Sequence, residues 1–113
     1  MDEWLVYSST NMVNWKAYPV PLTEALWIHK NGDWYYLSYA YQFSEKTAYA
    51  MSCSITGPWV SKGILNELSG NCNTSHQSII EYKNNWYFIY PDGGIQPNGC
   101  SFRRSVCIDR LYL

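Results

Sequence analysis

The chain has 113 residues, 47% hydrophobic and 15% charged, which fits one small folded domain and argues against a disordered segment. Eight Lys and Arg stand against nine Asp and Glu, a formal net charge of −1, so no basic field draws the protein onto phosphate backbones and no nucleic-acid partner is expected. No segment is long and apolar enough to cross a bilayer as a helix, so no membrane partner is expected either.

In chain order, Met1-Asp2-Glu3 is acidic, with no basic stretch or apolar run before a cleavage site. No secretory leader is therefore expected, and the chain would be cytoplasmic, or secreted if its N-terminus is truncated. Aromatic residues make up 18% of the chain and gather in short runs of β-formers. Trp34-Tyr35-Tyr36-Leu37-Ser38-Tyr39 follows Asn31-Gly32, and Trp86-Tyr87-Phe88-Ile89-Tyr90 follows Asn84-Asn85, the pattern of hairpins. Sustained apolar spacing at helical period is missing, and Pro and Gly interrupt the chain, so the fold is expected to be all-β. Cys53, Cys72, Cys100 and Cys107 contain no C-x-x-C pair and are read as buried free thiols rather than zinc ligands. Asn73-Thr74-Ser75 is a glycosylation sequon of little weight on its own.

Internal similarity decides the architecture. Thr23 to Ser38 aligns without a gap on Ser75 to Tyr90 at an offset of 52, placing Trp34 on Trp86, Tyr35 on Tyr87, Tyr36 on Phe88 and Leu37 on Ile89. A second echo, at an offset of 44, places Ser8-Ser9-Thr10 and Trp15 on Ser52-Cys53-Ser54 and Trp59. Multi-stranded units of this length are propeller blades. The expectation is a partial β-propeller of about two and a half blades of four-stranded antiparallel sheets. Residues 1–18 would be a partial blade, 22–66 one blade and 73–113 another. Within them, Glu24 to His29, Trp34 to Ala40 and Lys46 to Ser54 would be successive strands, echoed by His76 to Tyr82, Trp86 to Tyr90 and Phe102 to Ile108. Closed propellers need four to eight blades, so an incomplete domain with open edges, prone to self-association, is expected.

Glu24 and His76 take the same place in the two aligned repeats, at the start of the innermost strand, and would point into one cavity on the propeller axis. Each has a plainer reading. Glu24 also reads as a solvated strand-end charge, and His76 as a hydrogen-bonded core histidine.

Thr23-Glu24-Ala25-Leu26-Trp27 resembles the Glu-(Gly or Ala)-Pro-(His or Trp) motif of glycoside hydrolase family 43. Lys30 to Tyr39 is similar to the family's Asn-Gly-x-Tyr-Tyr-Leu-x-Tyr hairpin. Ala48-Tyr49-Ala50-Met51-Ser52, Ser54-Ile55-Thr56-Gly57-Pro58-Trp59, Asn71 to Gln77 and Phe102 to Asp109 continue the match in order, and Tyr7 to Trp15 is similar to an early-blade segment. The resemblance implies a five-bladed β-propeller that inverts O-glycosidic bonds in arabinose- or xylose-containing plant polysaccharides and oligosaccharides. It implies Glu24 as general acid, with Trp27, His76 and Arg103 or Arg104 toward the sugar. It further implies no cofactor for the chemistry, with a structural calcium beside His76. Two adjacent arginines on a strand would face opposite sides, so only one is expected to reach the pocket.

The sequence also departs from that pattern. Leu26 stands where the family has proline, and Tyr90-Pro91 where it has Tyr-His. The family's water-activating and tuning aspartates have no counterpart, and only Lys16 to Leu22 joins regions that relatives separate widely, as in a truncated or internally deleted member. Asp33 and Asp92, the nearby acidic residues, lie in expected turns. A non-catalytic carbohydrate-binding remnant, with Trp27, Trp34 and Tyr39 stacking on sugars, is the alternative.

Overall fold

The computed structural model describes residues 4–20, 24–94 and 99–112, with the backbone alone for 4–6, 19 and 20. Its described residues hold nine strands and no helix. β1 (Trp4–Ser8) and β2 (Lys16–Val20) form a two-stranded sheet. β3 (Glu24–Asn31), β4 (Trp34–Tyr41), β5 (Lys46–Ser52) and β6 (Val60–Asn66) form a four-stranded sheet in sequence order. β7 (Ser78–Tyr82), β8 (Asn85–Asp92) and β9 (Ser105–Leu111) form a third sheet, and every pairing is antiparallel.

The fold is a partial β-propeller, and the unit expected over 73–113 contains three strands among its described residues rather than four. The partial unit at the N-terminus extends to Val20, beyond the expected residue 18. Its two strands are joined by the Ser9 to Trp15 loop, as β5 and β6 are joined by Cys53 to Trp59, which explains the 44-residue echo. A Cα radius of gyration of 15.5 Å exceeds the roughly 13 Å of a closed domain of this length.

Both tight hairpins follow from turn chemistry. Asn31 pairs with Trp34 across Gly32-Asp33, with Gly32 at φ 60°, and Tyr82 pairs with Asn85 across Lys83-Asn84, both at positive φ. Positive φ at the first turn position matches the twist of the flanking strands. Within the four-stranded sheet, large residues on β4 face small ones on β5: Leu37 lies opposite Ala50, and Tyr39 opposite Ala48. These four are buried, with Leu26 and Trp59 packed over them.

The inner strands β3 and β7 lie side by side. The buried Gln77 donates from Nε2 to the Ala25 carbonyl (2.9 Å) and to Ser38 Oγ (3.0 Å). The Trp27 indole N–H donates to the Ile79 carbonyl at 3.0 Å. Both bonds to main-chain carbonyls join residues 52 positions apart, the offset of the repeat. The expectation of buried thiols holds for Cys72, whose Sγ donates to the Thr74 carbonyl, but Cys53 is exposed in the β5–β6 loop.

Replacing Gln77 by Leu removes both donations while leaving Ala25 and Ser38 acceptors enclosed. Urea unfolding is expected to show a loss of about 1–3 kcal/mol, and an unchanged midpoint would show that the clamp carries no weight.

Candidate active site

Glu24 heads β3, and its direction is set by a break in the strand. Pairing with β4 shifts register between Glu24 and Trp27, and Ala25 inside this bulge sits at φ 54°. A bulge re-aims the side chain beside it, and a left-handed residue with a Cβ stores about 1–3 kcal/mol of strain. That requirement gives a physical reason for a small residue directly after Glu24.

His76 does not begin a strand, contrary to expectation. It lies in the segment before β7, and Gln77 beside it makes the clamp described above. Arg103 and Arg104 likewise precede β9 rather than alternate along it. The structure brings Glu24, His76 and Arg104 together with Glu45, Thr74 and Ser75 around one cavity of about 240 Å³. Arg103 does not line it; its amide donates to the Cys100 carbonyl in the preceding turn. One arginine of the two faces the cavity, as expected, but loop geometry selects it rather than strand alternation.

Trp27 does not line this cavity either, and its indole N–H is committed to Ile79. Tyr39 is 6% exposed and packs in the sheet core, so it cannot stack on a sugar, and the stacking set of the alternative reading loses that member. Asp33 occupies the β3–β4 turn, and Asp92 ends β8 with its carboxylate accepting from Gly94 N–H (2.8 Å) and Cys107 Sγ (3.2 Å). Hydrogen bonding from Gly94 and then Cys107 holds Asp92 below the usual carboxylate range. Neither aspartate lines the cavity.

The residue that sequence reasoning missed is Glu45. It comes from the β4–β5 turn, where a charge is ordinary, and only the tertiary arrangement brings it to Glu24. Its Oε2 accepts from the Ser75 amide at 2.7 Å, and its own amide donates to the Asn73 carbonyl at 2.9 Å. Ser44 Oγ donates to Asn73 Oδ1 (3.2 Å), Thr47 and Ser75 hydroxyls meet at 2.6 Å, and Arg104 donates to Thr74 Oγ1 at 3.3 Å. Burial, followed by a side-chain hydrogen bond with Glu24 and that group's charge, raises Glu45 above the usual glutamate value, against the opposing Ser75 amide.

A larger cavity, about 370 Å³, lies between the two units and is mainly apolar, lined by His29, Tyr36, Tyr49, Met51 and Leu111 among others. Burial lowers His29 to about 4, so the imidazole is neutral at physiological pH. Its ring stacks on Tyr36 at 4.9 Å and meets Trp86 at 5.0 Å, so this space belongs to the packing between units. It shares no lining residue with the Glu24 cavity.

Among the described residues no group of three His, Cys, Asp or Glu side chains able to hold a metal occurs, so no carboxylate cage for a calcium surrounds His76.

The sequence profile described as "Glycosyl hydrolases family 43" matches residues 1–113. The chain belongs to glycosyl hydrolase family 43. A β-xylosidase of Xylanibacter ruminicola is 33% identical over 88 residues, covering 78% of this chain and 27% of its own length. A xylosidase/arabinosidase of Bacteroides ovatus is 36% identical over 89 residues, covering 78% and 26%. Among solved structures, a family 43 β-xylosidase/α-arabinofuranosidase from a compost microbial metagenome, in complex with xylotriose and in calcium-free form, superposes with a TM-score of 0.72. It is 32% identical and covers 80% of this chain and 27% of that one. This family 43 chain thus spans about a quarter of the length of the curated relatives it matches.

Two outcomes check the site geometry. Ala25→Val places a β-branched residue at positive φ and is expected to cost about 2 kcal/mol, whereas Ala25→Gly stays within about 0.5 kcal/mol of the parent. Thermal unfolding is expected to be the same with calcium as with chelator, and a chelator-sensitive midpoint would reveal a cage that these side chains do not form.

Proposed function

We propose that this chain supplies the leaving-group side of a pentoside-hydrolysing site, acting on β-xylosides or α-L-arabinofuranosides of plant polysaccharides and oligosaccharides. The observation that carries the reading is the convergence of Glu24, His76 and Arg104 on one cavity in a family 43 chain whose similar relatives are named xylosidases and arabinosidases. Glu24 protonates the departing oxygen, and Arg104 and His76 donate to sugar hydroxyls. The guanidinium fork is suited to vicinal oxygens.

Inversion needs a second carboxylate about 6.5–9.5 Å from the acid, with room for water between them. Glu45, whose Oε2 is engaged by the Ser75 amide, is not assigned that role. The water-activating group is therefore absent from the described lining of this cavity, and the chain alone provides the acid half of the reaction. No cofactor enters that half. The β9 edge, with no strand paired beyond it among the described residues, supports self-association through the open sheet.

Azide added as an external nucleophile substitutes for the missing carboxylate. Release of nitrophenol from aryl β-D-xyloside or α-L-arabinofuranoside is then expected to fall roughly 10²- to 10⁴-fold in Glu24→Gln, the usual worth of a general acid. Equal rates for parent and variant on both substrates would overturn the hydrolytic reading. Sedimentation is expected to show species heavier than the 13.2 kDa chain, and a monomer at all concentrations would contradict association.

A further inference from the structure

We propose that Phe43 and Phe102 are paired stacking platforms beside the Glu24 cavity, holding the pentose residues on the leaving-group side of the scissile bond. The inference deepens the hydrolytic reading and rests on it.

Both rings are anomalies of exposure. Phe43 is 81% and Phe102 96% exposed, although a phenyl ring has no polar atom to offer water and ordinarily gains by leaving it. A single exposed apolar residue is common, but these two occupy matched places. Phe43 lies in the turn between β4 and β5, and Phe102 in the turn before β9, so each belongs to the connection from the second to the third strand of its unit. Each stands two residues before a charged side chain that lines the cavity, Glu45 in one unit and Arg104 in the other.

One residue ties the two turns together. Asn73 accepts from Ser44 Oγ at its Oδ1 (3.2 Å) and from the Glu45 N–H at its carbonyl (2.9 Å), while its own N–H donates to Ser101 Oγ at 2.8 Å. Ser44 follows Phe43 and Ser101 precedes Phe102, so the neighbours of both rings meet at Asn73, directly before the Thr74 and Ser75 of the cavity wall. Each turn is fastened again. The Ser75 amide holds Glu45 Oε2 at 2.7 Å, the Arg103 N–H closes on the Cys100 carbonyl at 2.9 Å, and a Cβ at Gly94 would collide with the Arg103 carbonyl. Platforms set in place before a ligand arrives lose little conformational entropy when it binds.

The chemistry of the rings selects the occupant. A phenyl face is electron-rich and carries no hydrogen-bonding atom, whereas a pentose presents C–H bonds on its faces and hydroxyls around its edge. Stacking therefore takes the flat face of the sugar and leaves the hydroxyls to water or to polar side chains. Neither ring lines the 240 Å³ cavity itself, so the sugars they serve lie outside it, next to the wall that carries Glu24. Trp27 and Tyr39 do not compete for this role, since one is bonded to Ile79 and the other packs in the sheet core.

The test uses the full chain and saccharide titrations followed by NMR, with xylotetraose and arabinotetraose as probes and xylose and arabinose as single-ring references. The parent is expected to bind at least one tetraose more tightly than its monosaccharide. Phe43→Ala and Phe102→Ala are each expected to weaken that binding roughly 2- to 10-fold, the worth of one aromatic contact, and to leave monosaccharide binding unchanged. Phe43→Trp and Phe102→Trp are expected to retain it, while Phe43→Leu and Phe102→Leu, apolar without a flat face, are expected to lose as much as alanine. Because both rings are exposed, the melting midpoints of the alanine variants are expected to match the parent, and lower midpoints would place the rings within the packing and overturn the proposal. Equal tetraose affinity in parent and variants, or no gain over the monosaccharides, overturns it as well. So does loss of heavier sedimenting species with sugar affinity kept, which would assign the rings to contacts between copies. Ring-dependent tetraose binding without any Glu24-dependent nitrophenol release would support the platforms and sink the hydrolytic reading alone.

Discussion

The arrangement depends on a side-chain amide. Gln77 sits just before β7, is 3% exposed, and donates into the preceding unit at Ala25 and Ser38. An enclosed amide has few places to satisfy its hydrogens, so this contact fixes where the second inner strand begins relative to the first. Trp27, one strand position beyond the bulge, makes the reciprocal reach to Ile79. Between them these bonds set the lateral register of the two inner strands, and they determine which residues surround Glu24.

The same register explains why the site forms at the strand starts. The bulge at Ala25 frees Glu24 from the pleat, while Gln77 holds His76 beside it. The β4–β5 turn ends on that side as well, so Glu45 is delivered there by antiparallel geometry. One end of the stacked sheets thus collects the ionisable groups. Elsewhere, Leu37, Tyr39 and the alanines opposite them form an apolar layer inside the four-stranded sheet.

Much of this was legible in the sequence because repeats report geometry directly. An offset of 52 between Trp34 and Trp86 is a statement about equivalent strands, and the hydrogen bonds of Trp27 and Gln77 span that same interval. Strand interiors were legible from aromatic runs and turn residues. The starts at Glu24, Trp34 and Lys46 were legible too, but those of β7 and β9 were not, and His76, Arg103 and Arg104 all fell outside the strands expected to hold them. A period-2 pattern cannot show where pairing stops once the chain turns toward another sheet. Glu45 was invisible for a related reason: a glutamate in a hairpin turn is unremarkable until the 73–75 segment folds against it. Trp27 carries a structural role that its place in the family motif did not reveal, since its indole N–H serves as a bolt between strands.

The most direct measurement of the central claim is the nuclear Overhauser contact and exchange protection of the Trp27 indole proton. If the two inner strands lie abreast as described, that proton is protected and shows cross-peaks to Ile79 and its neighbours on β7. A rapidly exchanging indole with contacts only inside the four-stranded sheet would mean that the two units do not meet, and that Glu24 and His76 share no cavity.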